Sequence, residues 1–291
     1  MTNARRWRPT RALWALGVAA LAVLSIGAFA YAGGSGPSTP EFTPNNAEQV
    51  TNIDVLRSQI KNYYGDPTAT TGSAANAGWT HPLNQDSNYA DEARKVADEG
   101  SHWLAARANV KKAAIVLDVD DTTLATWNYE LYSNWDFNPT TNGNFVTGEL
   151  FPAVPGMVDM VQQAKADGYA IFFLTGRPAA QEGATLGNLT DSDAIGVNAG
   201  YPAPTTLSDG EDGLFTKPAV ADYPDYLKAA CAGELAQGKS CTTIHYKSAT
   251  RAHIESLGYD IVGNFGDQYS DLKGGYADRT FKLPNPNYYL P

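Results

Sequence analysis

Four short runs of β-branched, aliphatic or aromatic residues recur along the chain, and each ends in polar or charged residues. They cover residues 115–119, 169–174, 242–247 and 261–265. Runs of this length, bounded by turn-forming or polar residues, predict strands. The first run lacks polar alternation, which is typical of a strand buried on both faces in a parallel sheet.

The chain before the first strand predicts two helices joined by a loop. Residues 47–63 form the first helix, residues 67–86 are rich in Thr, Ala, Gly and Asn and predict a loop, and residues 89–108 form the second helix. Four apolar residues of the first helix fall on one stripe: Val50, Ile53, Leu56 and Ile60.

Two carboxylates follow the first strand at a spacing of two. Side chains two apart on a strand share a face, so Asp118 and Asp120 are expected to project together from its carboxyl end. Ligands bind at that end in open α/β sheets. Two acids there suit a nucleophile and a general acid and base. If the Asp-x-Asp motif stood alone, an acidic turn with no catalytic role would be favoured. The residues at the other strand ends argue against that alternative.

The second and third strand ends carry groups suited to an anion. Thr175 offers a hydroxyl hydrogen, and Gly176 allows backbone N–H groups to approach an anion closely. Lys247, at the end of the predicted third strand, could neutralise the charge of a phosphate. Each has an ordinary alternative when taken alone, a strand-to-loop turn for Thr-Gly and a solvated lysine at a helix start for Lys247.

The fourth strand ends in two further carboxylates. Asp267 follows it directly, and Asp271 comes four residues later. Carboxylate oxygens at a strand end suit a hard cation, which prefers oxygen ligands and often keeps several waters.

In this order, the strand ends Asp-x-Asp, Thr, Lys and Gly-Asp-x-x-x-Asp resemble the haloacid dehalogenase (HAD) superfamily of phosphohydrolases. Within it, the sequence resembles the acid phosphatase class B group, subfamily IIIB, which includes plant vegetative storage proteins. The resemblance extends from about residue 50 to residue 291. Five segments carry it beside the first Asp-x-Asp: residues 151–156, 173–177, 246–248, 266–271 and 281–286.

The resemblance implies a Rossmann-like α/β fold, with a mainly parallel central sheet flanked by helices and a small cap. It also implies Mg²⁺ as cofactor and an aspartyl-phosphate intermediate on Asp118, with Asp120 as acid and base. The phosphoryl oxygens would be held by Thr175, Gly176 and Lys247. The implied metal site consists of the Asp118 carboxylate, the backbone carbonyl of Asp120 and Asp267, with Asp271 supporting water ligands.

The resemblance favours an enzyme, a phosphoric monoester hydrolase. Both aspartates that the reaction would need, Asp118 and Asp120, are present, and this favours an enzyme. Some plant relatives are storage proteins with little activity, so a catalytically weak storage or phosphate-binding protein of the same fold is the alternative.

Composition indicates one sizeable domain preceded by an export segment. The chain has 291 residues with 43% apolar content, enough for one core. Residues 1–32 combine four arginines with an uncharged apolar stretch over 12–32, which predicts an export signal or a membrane anchor. Residues 33–46 predict a flexible linker and residues 47–291 the phosphatase domain, with cap candidates at 125–152 and 178–222. We therefore expect an exported protein, secreted or at the cell surface.

The net charge of the chain limits the kinds of molecule that it is expected to bind. Without residues 1–32 the chain keeps 17 basic and 31 acidic residues, a net charge of −14, and it has no basic run. The electrostatic footprint of duplex nucleic-acid binding is therefore absent from the sequence. A small phosphomonoester is the expected substrate, and the N-terminal segment is a possible membrane tether.

Aromatic residues after the first motif are candidates for contacting the substrate. Trp127 and Tyr132 lie in the first cap candidate and Tyr201 in the second. Aromatic faces could stack on a nucleobase or an aryl leaving group. The alternative is that these rings pack against one another.

The two cysteines, Cys231 and Cys241, are candidates for a disulfide in an exported chain. We expect a helix to begin near Pro224 under an Asp222 cap, and the disulfide to join it to the strand that leads to Lys247. Two free buried thiols are the alternative.

Overall fold

The computed structural model describes residues 44–75, 81–190, 196–207, 210 and 212–290. At its centre is a five-stranded sheet in the order β3-β2-β1-β4-β5, with every neighbouring pair parallel. The predicted α/β fold with a parallel central sheet is confirmed. The strands are β1 Ala113–Leu117, β2 Ala170–Pro178, β3 Leu214–Lys217, β4 Asp260–Gly266 and β5 Thr280–Lys282.

Helices cover both faces of this sheet. Four short 3₁₀ helices accompany them at Ala47–Gln49, Ser73–Ala75, Ala179–Gln181 and Val220–Asp222. The α-helices of the described residues are α1 Ile53–Tyr63, α2 Asn88–Ala105, α3 Trp127–Ser133, α4 Pro139–Thr147, α5 Met157–Ala166, α6 Glu182–Thr190, α7 Asp225–Ala230, α8 Ala232–Leu235, α9 Thr243–Ser256 and α10 Tyr269–Leu272.

Side-chain alternation along the central strands divides the core into two layers. Ile115 and Leu117 of β1 belong to the larger layer, which includes residues of α2 and α5. Val116 between them belongs to the smaller layer, with residues of α7 and α9. Because β1 is buried along its whole length, both of its faces need apolar side chains, and the aliphatic run provides them.

The N-terminal helix differs from its prediction. A 3₁₀ helix, Ala47–Gln49, precedes α1, because the Asn52 side chain accepts hydrogen bonds from the backbone N–H groups of Asp54 and Val55 and starts a new helix there. Of the predicted stripe, Ile60 is buried. The other three residues are exposed: Val50, Ile53 and Leu56. The predicted apolar stripe therefore does not form a buried face of this helix.

The predicted third strand is also wrong. Residues 242–247 form the N-terminus of helix α9, where the Thr242 hydroxyl accepts a hydrogen bond from the backbone N–H of His245. The β-branched pair of threonines suggested a strand. The buried residues that follow recur instead at helical spacing: Tyr246, Lys247, Ala249, Thr250, Arg251 and Ile254.

Cys231 and Cys241 form a disulfide bond, with 5.3 Å between their Cα atoms. It joins the end of α7 to the residue before the N-cap of α9, so it attaches to a helix and not to the predicted strand. Asp222 does not cap α7, because it lies in a preceding 3₁₀ turn and Pro224 occupies the N-cap position.

The cap candidates contribute to the body of the domain. Segment 125–152 contains α3 and α4, and segment 178–222 contains α6 and also strand β3 of the central sheet. The predicted export segment 1–32 and most of the linker 33–46 lie outside the described residues. Among the described helices, none has the length and apolar character needed to cross a membrane.

The packing of α2 on β4 gives a test of this fold. A methyl group added at Gly100 would lie 2.7 Å from Cε1 of Phe265, whose ring stacks on Phe281 at 4.5 Å and cannot move aside freely. We expect Gly100→Ala to lower the free energy of unfolding by about 1–3 kcal/mol, measured by urea denaturation.

Gly183→Ala is the matched control, because a Cβ at this exposed helical position meets no atom within 4 Å. We expect it to leave the free energy of unfolding unchanged or to raise it slightly. Equal effects of the two alanines would contradict the close packing of α2 on β4.

Candidate active site

The carboxyl ends of β1 and β4 bring the first and fourth motifs together. Asp118 follows β1 directly, and its backbone N–H donates to the carbonyl of Phe265 on β4 at 2.9 Å. Asp267 follows β4 directly, and Gly266 lets the chain fold back, since a side chain there would clash with Asp271. The ligand oxygens of Asp118, Asp267 and Asp271 lie within 4.8 Å of one another, and all three residues are buried.

Lys247 joins this cluster from helix α9. Its ammonium group donates to Oδ1 of Asp118 and, at 2.6 Å, to Oδ1 of Asp271. Burial alone would lower the pKa of Lys247, but the carboxylates of Asp118 and Asp271 outweigh burial and raise it. Lys247 is therefore a fixed positive charge between two acids, not a solvated lysine.

The carboxylates themselves are held in an environment that disfavours their charge. Burial raises the pKa of Asp118 well above its usual value, and Lys247 opposes that rise. Burial and then the charge of Asp271 raise the pKa of Asp267 to about 7, whereas hydrogen bonds from Asn285 and Gln268 oppose it.

This donor set fits a divalent cation. Lys247 forms ion pairs with two of the three buried carboxylates, Asp118 and Asp271, so the site made of oxygen donors holds more acidic groups than basic ones. Hard cations prefer such ligands. The predicted metal ligands Asp118, Asp267 and Asp271 are thus brought together, while the Asp120 carboxylate points to another partner.

That partner is Arg177, to which sequence reasoning assigned no role. Its Nε donates to Asp120 Oδ2 at 3.1 Å and its Nη2 to Asp120 Oδ1 at 2.7 Å. Its Nη1 donates to the Thr185 hydroxyl at 3.0 Å, and the guanidinium is buried. The available signal was the arginine directly after Thr-Gly at a strand end, since a planar fork suits a carboxylate.

Besides Lys247, the residues predicted to bind phosphate are Thr175 and Gly176, and both lie in strand β2. The Thr175 hydroxyl oxygen accepts a hydrogen bond from the backbone N–H of Arg177 at 3.1 Å, and Thr175 is fully buried. Gly176 is exposed, and a Cβ built on it would meet no atom within 4 Å. The backbone at Gly176 therefore borders open space.

A sharp turn after Asp120 connects the first motif to the fourth. Asp121 has a φ of 53°, in the left-handed region, and its carboxylate accepts from the backbone N–H of Thr126 at 2.9 Å and from the Thr126 hydroxyl at 2.6 Å. The turn allows the Thr122 hydroxyl to donate to Oδ1 of Asp267 at 3.2 Å. Asp121 and Thr122 thus support the site without belonging to its predicted set.

The aromatic candidates pack against other residues. Trp127 is 1% exposed and stacks on Tyr64 with 4.1 Å between ring centroids. Tyr201 is buried and donates its hydroxyl hydrogen to the carbonyl of Thr123 at 2.8 Å. Tyr132 is partly buried against Phe145. For Trp127 and Tyr201 this corrects the expectation of a substrate surface, because core packing occupies their rings.

Comparison with known proteins agrees with this geometry. Residues 73–291 match the family described as HAD superfamily, subfamily IIIB (Acid phosphatase). The chain is 29% identical to "Acid phosphatase 1" of Solanum lycopersicum over 208 residues, which cover 69% of each chain. It is 30% identical to "Stem 28 kDa glycoprotein" of Glycine max, over 67% of this chain and 68% of that one.

Two further similarities are lower in coverage or in identity. "Vegetative storage protein 2" of Arabidopsis thaliana is 29% identical over 60% of this chain and 56% of its own. Among solved structures, the class C acid phosphatase from Bacillus anthracis is 20% identical, with a TM-score of 0.48 over 69% of this chain and 79% of that chain.

The predicted superfamily, subfamily and enzyme class are confirmed by the family match, which covers three quarters of the sequence. The chain belongs to the acid phosphatases of the HAD superfamily, subfamily IIIB.

Proposed function

We propose that this protein is an exported, Mg²⁺-dependent acid phosphatase that hydrolyses small phosphomonoesters through an aspartyl-phosphate on Asp118. The observation that carries the proposal is the pairing of the two acids of the first motif with different cations. Asp118 is held by Lys247 within the acidic cluster, and Asp120 is held by Arg177 beside it. The two carboxylates therefore have separate environments, as separate roles require.

In the first half of the reaction, an oxygen of Asp118 attacks phosphorus in line with the ester oxygen. The P–O bond to the alcohol breaks as the new bond forms, and Asp120 gives its proton to the departing oxygen. The Thr175 hydroxyl oxygen already accepts from the backbone, so its hydrogen remains for a phosphoryl oxygen. Lys247 and the Gly176 backbone stabilise the remaining charge.

In the second half, Asp120 is ionised and takes a proton from a water molecule. The resulting hydroxide attacks phosphorus, the bond to Asp118 breaks, and phosphate leaves. Asp120 is then protonated and Asp118 is again a carboxylate, so the cycle closes.

The proposed Mg²⁺ would be held by oxygens of Asp118, Asp267 and Asp271, together with the backbone carbonyl of Asp120. When bound, it supplies positive charge that offsets the charge of the phosphoryl group. The support for it is the donor set and the excess negative charge of the buried cluster.

Export is proposed from residues 1–32, with residues 33–46 as a linker and the apolar stretch 12–32 as a possible anchor. The disulfide between Cys231 and Cys241 supports this, because such bonds persist in oxidising compartments. Cytosolic thiols are kept reduced, so the same bond would be unusual there.

A storage or phosphate-binding protein of the same fold is the second candidate, favoured by the similarity to "Vegetative storage protein 2". The two candidates differ in turnover. A storage protein would fold and bind ligands without hydrolysing them.

Removing the nucleophile tests the proposed chemistry. Asp118→Asn keeps the size of the side chain and removes the attacking carboxylate, so we expect kcat for p-nitrophenyl phosphate to fall roughly a thousandfold or more. The assay uses purified residues 33–291 with Mg²⁺ or EDTA across pH 4–9. We expect EDTA to abolish turnover and added Mg²⁺ to restore it.

The matched control is Asp98→Asn, the same chemical change at an exposed position of α2. We expect this variant to retain the kcat of the unaltered protein. Absence of turnover in folded, metal-loaded, unaltered protein would favour the storage or phosphate-binding alternative.

The hydrogen bonds from the Arg177 guanidinium to both oxygens of Asp120 give a second prediction. Arg177→Lys keeps the charge but loses the two-pronged geometry, so we expect kcat to fall about 10- to 100-fold with little change in KM. Because Asp120 protonates the leaving group, the loss should be larger for an alkyl phosphate than for p-nitrophenyl phosphate, whose leaving group needs less help.

Thr185→Val is the control for this variant, since it removes a hydrogen bond to the same guanidinium but leaves both contacts with Asp120. We expect a smaller loss of kcat, without dependence on the leaving group. A loss for Arg177→Lys that is equal for both substrates would mean that Arg177 serves stability alone.

A further inference from the structure

The last described part of the chain, residues 284–290, lies against the acidic cluster. We call it the C-terminal segment. It begins after β5, where the backbone N–H of the buried Leu283 donates to the carbonyl of Gly266 at 2.9 Å. This hydrogen bond continues the pairing of β5 with β4, so the segment leaves the sheet beside Asp267.

Asn285 of the C-terminal segment contacts the acidic cluster directly. Its amide nitrogen, Nδ2, lies 2.7 Å from Oδ2 of Asp267 and 3.5 Å from Oδ2 of Asp121. Its amide oxygen accepts from the backbone N–H of Asn287 at 2.8 Å. Because that backbone group can only donate, it fixes the orientation of the amide and directs the NH₂ group at the carboxylates.

A second amide is oriented by the same segment. Gln268 Nε2 donates to Oδ2 of Asp267 at 2.7 Å, and Gln268 Oε1 accepts from the backbone N–H of Leu290 at 3.0 Å. The Ser270 hydroxyl donates to the carbonyl of Leu290 at 3.3 Å. Oδ2 of Asp267 therefore receives two amide donors, and both are aligned by backbone groups of the C-terminal segment.

The middle of the segment is also hydrogen-bonded to residues that follow helices α1 and α3. Asn287 Nδ2 donates to the hydroxyl oxygen of Tyr64, next to α1, at 2.9 Å. Trp135 Nε1 donates to Asn287 Oδ1 at 3.2 Å. These contacts hold the segment in place without touching Asp267.

We propose that the C-terminal segment is a working part of the metal centre, in which Asn285 is a positioning residue for the cation ligand Asp267. This inference rests on the proposed metal-dependent function. With Thr122 on Oδ1 and two amides on Oδ2, Asp267 is fixed before any cation arrives, so binding does not have to order it.

Calorimetric titration of the metal-free full chain with Mg²⁺ tests this inference, because it measures the Kd for the cation without any turnover. We expect Asn285→Ala to weaken Mg²⁺ binding about tenfold or more, within the 10- to 100-fold range for partners of metal ligands. Gln268→Met, which removes the other amide donor at similar length, should weaken binding in the same direction.

Asn287→Ala is the matched control, since it removes an amide from the same segment but leaves Asp267 with all its donors. We expect its Kd to change less than about threefold. Thermal unfolding of the metal-free variants shows whether each is folded before titration.

Two results would overturn the inference. One is Mg²⁺ binding by Asn285→Ala and Gln268→Met as tight as in the unaltered chain, which would leave the proposed phosphatase mechanism intact. The other is equal weakening in Asn285→Ala and Asn287→Ala, which would reduce the segment to general support. Failure of the unaltered chain to bind Mg²⁺ would instead remove the metal requirement of the proposed function and, with it, this inference.

Discussion

The Lys247 ammonium group, between Asp118 and Asp271, is the interaction on which the rest of the site depends. Three buried carboxylates at the end of one sheet would each carry a large desolvation cost. Lys247 offsets part of this cost, and hydrogen bonds from backbone and amide donors around the cluster offset a further part. It can do so because α9 lies against the sheet and directs a buried residue toward its carboxyl edge.

Besides Lys247, the acids of the site have different hydrogen-bond donors. Asp120 has the planar fork of Arg177, Asp267 has hydroxyl and amide donors, and Asp271 accepts from the backbone N–H of Gln268 at 2.8 Å. In the proposed mechanism, attack, proton transfer and cation binding are thus divided among residues that lie close together.

The sequence predicted the strand ends well because a buried parallel strand has a simple signature. An aliphatic run that stops at Asp118 or at Asp267 fixes both the strand and the edge to which it points. The location of Lys247 on a helix was missed because the β-branched start of α9 outweighed the helical spacing that follows. The exposed Val50 shows the converse error, because it belongs to a predicted helical stripe that is largely uncovered among the described residues.

The supporting contacts could not be predicted from spacing. Arg177 and Asp120 are 57 positions apart, and Asn285 and Asp267 are 18 apart. Both pairs depend on how loops leave neighbouring strands, which a linear pattern does not encode. The aromatic residue Trp127 was ambiguous for a similar reason, since its stacking partner, Tyr64, lies on a separate element.

The strand order has a consequence for how this domain can change. The chain leaves β1 toward β2 on one side and reaches β4 on the other, so β1 is a topological switch point and the site opens beside it. The proposed mechanism places leaving-group protonation on the β2 flank, where Arg177 holds Asp120, and cation binding on the β4 flank, through Asp267. In this mechanism, the two flanks of β1 carry different parts of the reaction. In the proposed mechanism, a change confined to the β2 flank would remove hydrolysis and leave the cation site of the β4 flank in place, which is one route from an enzyme to a storage protein of the same fold.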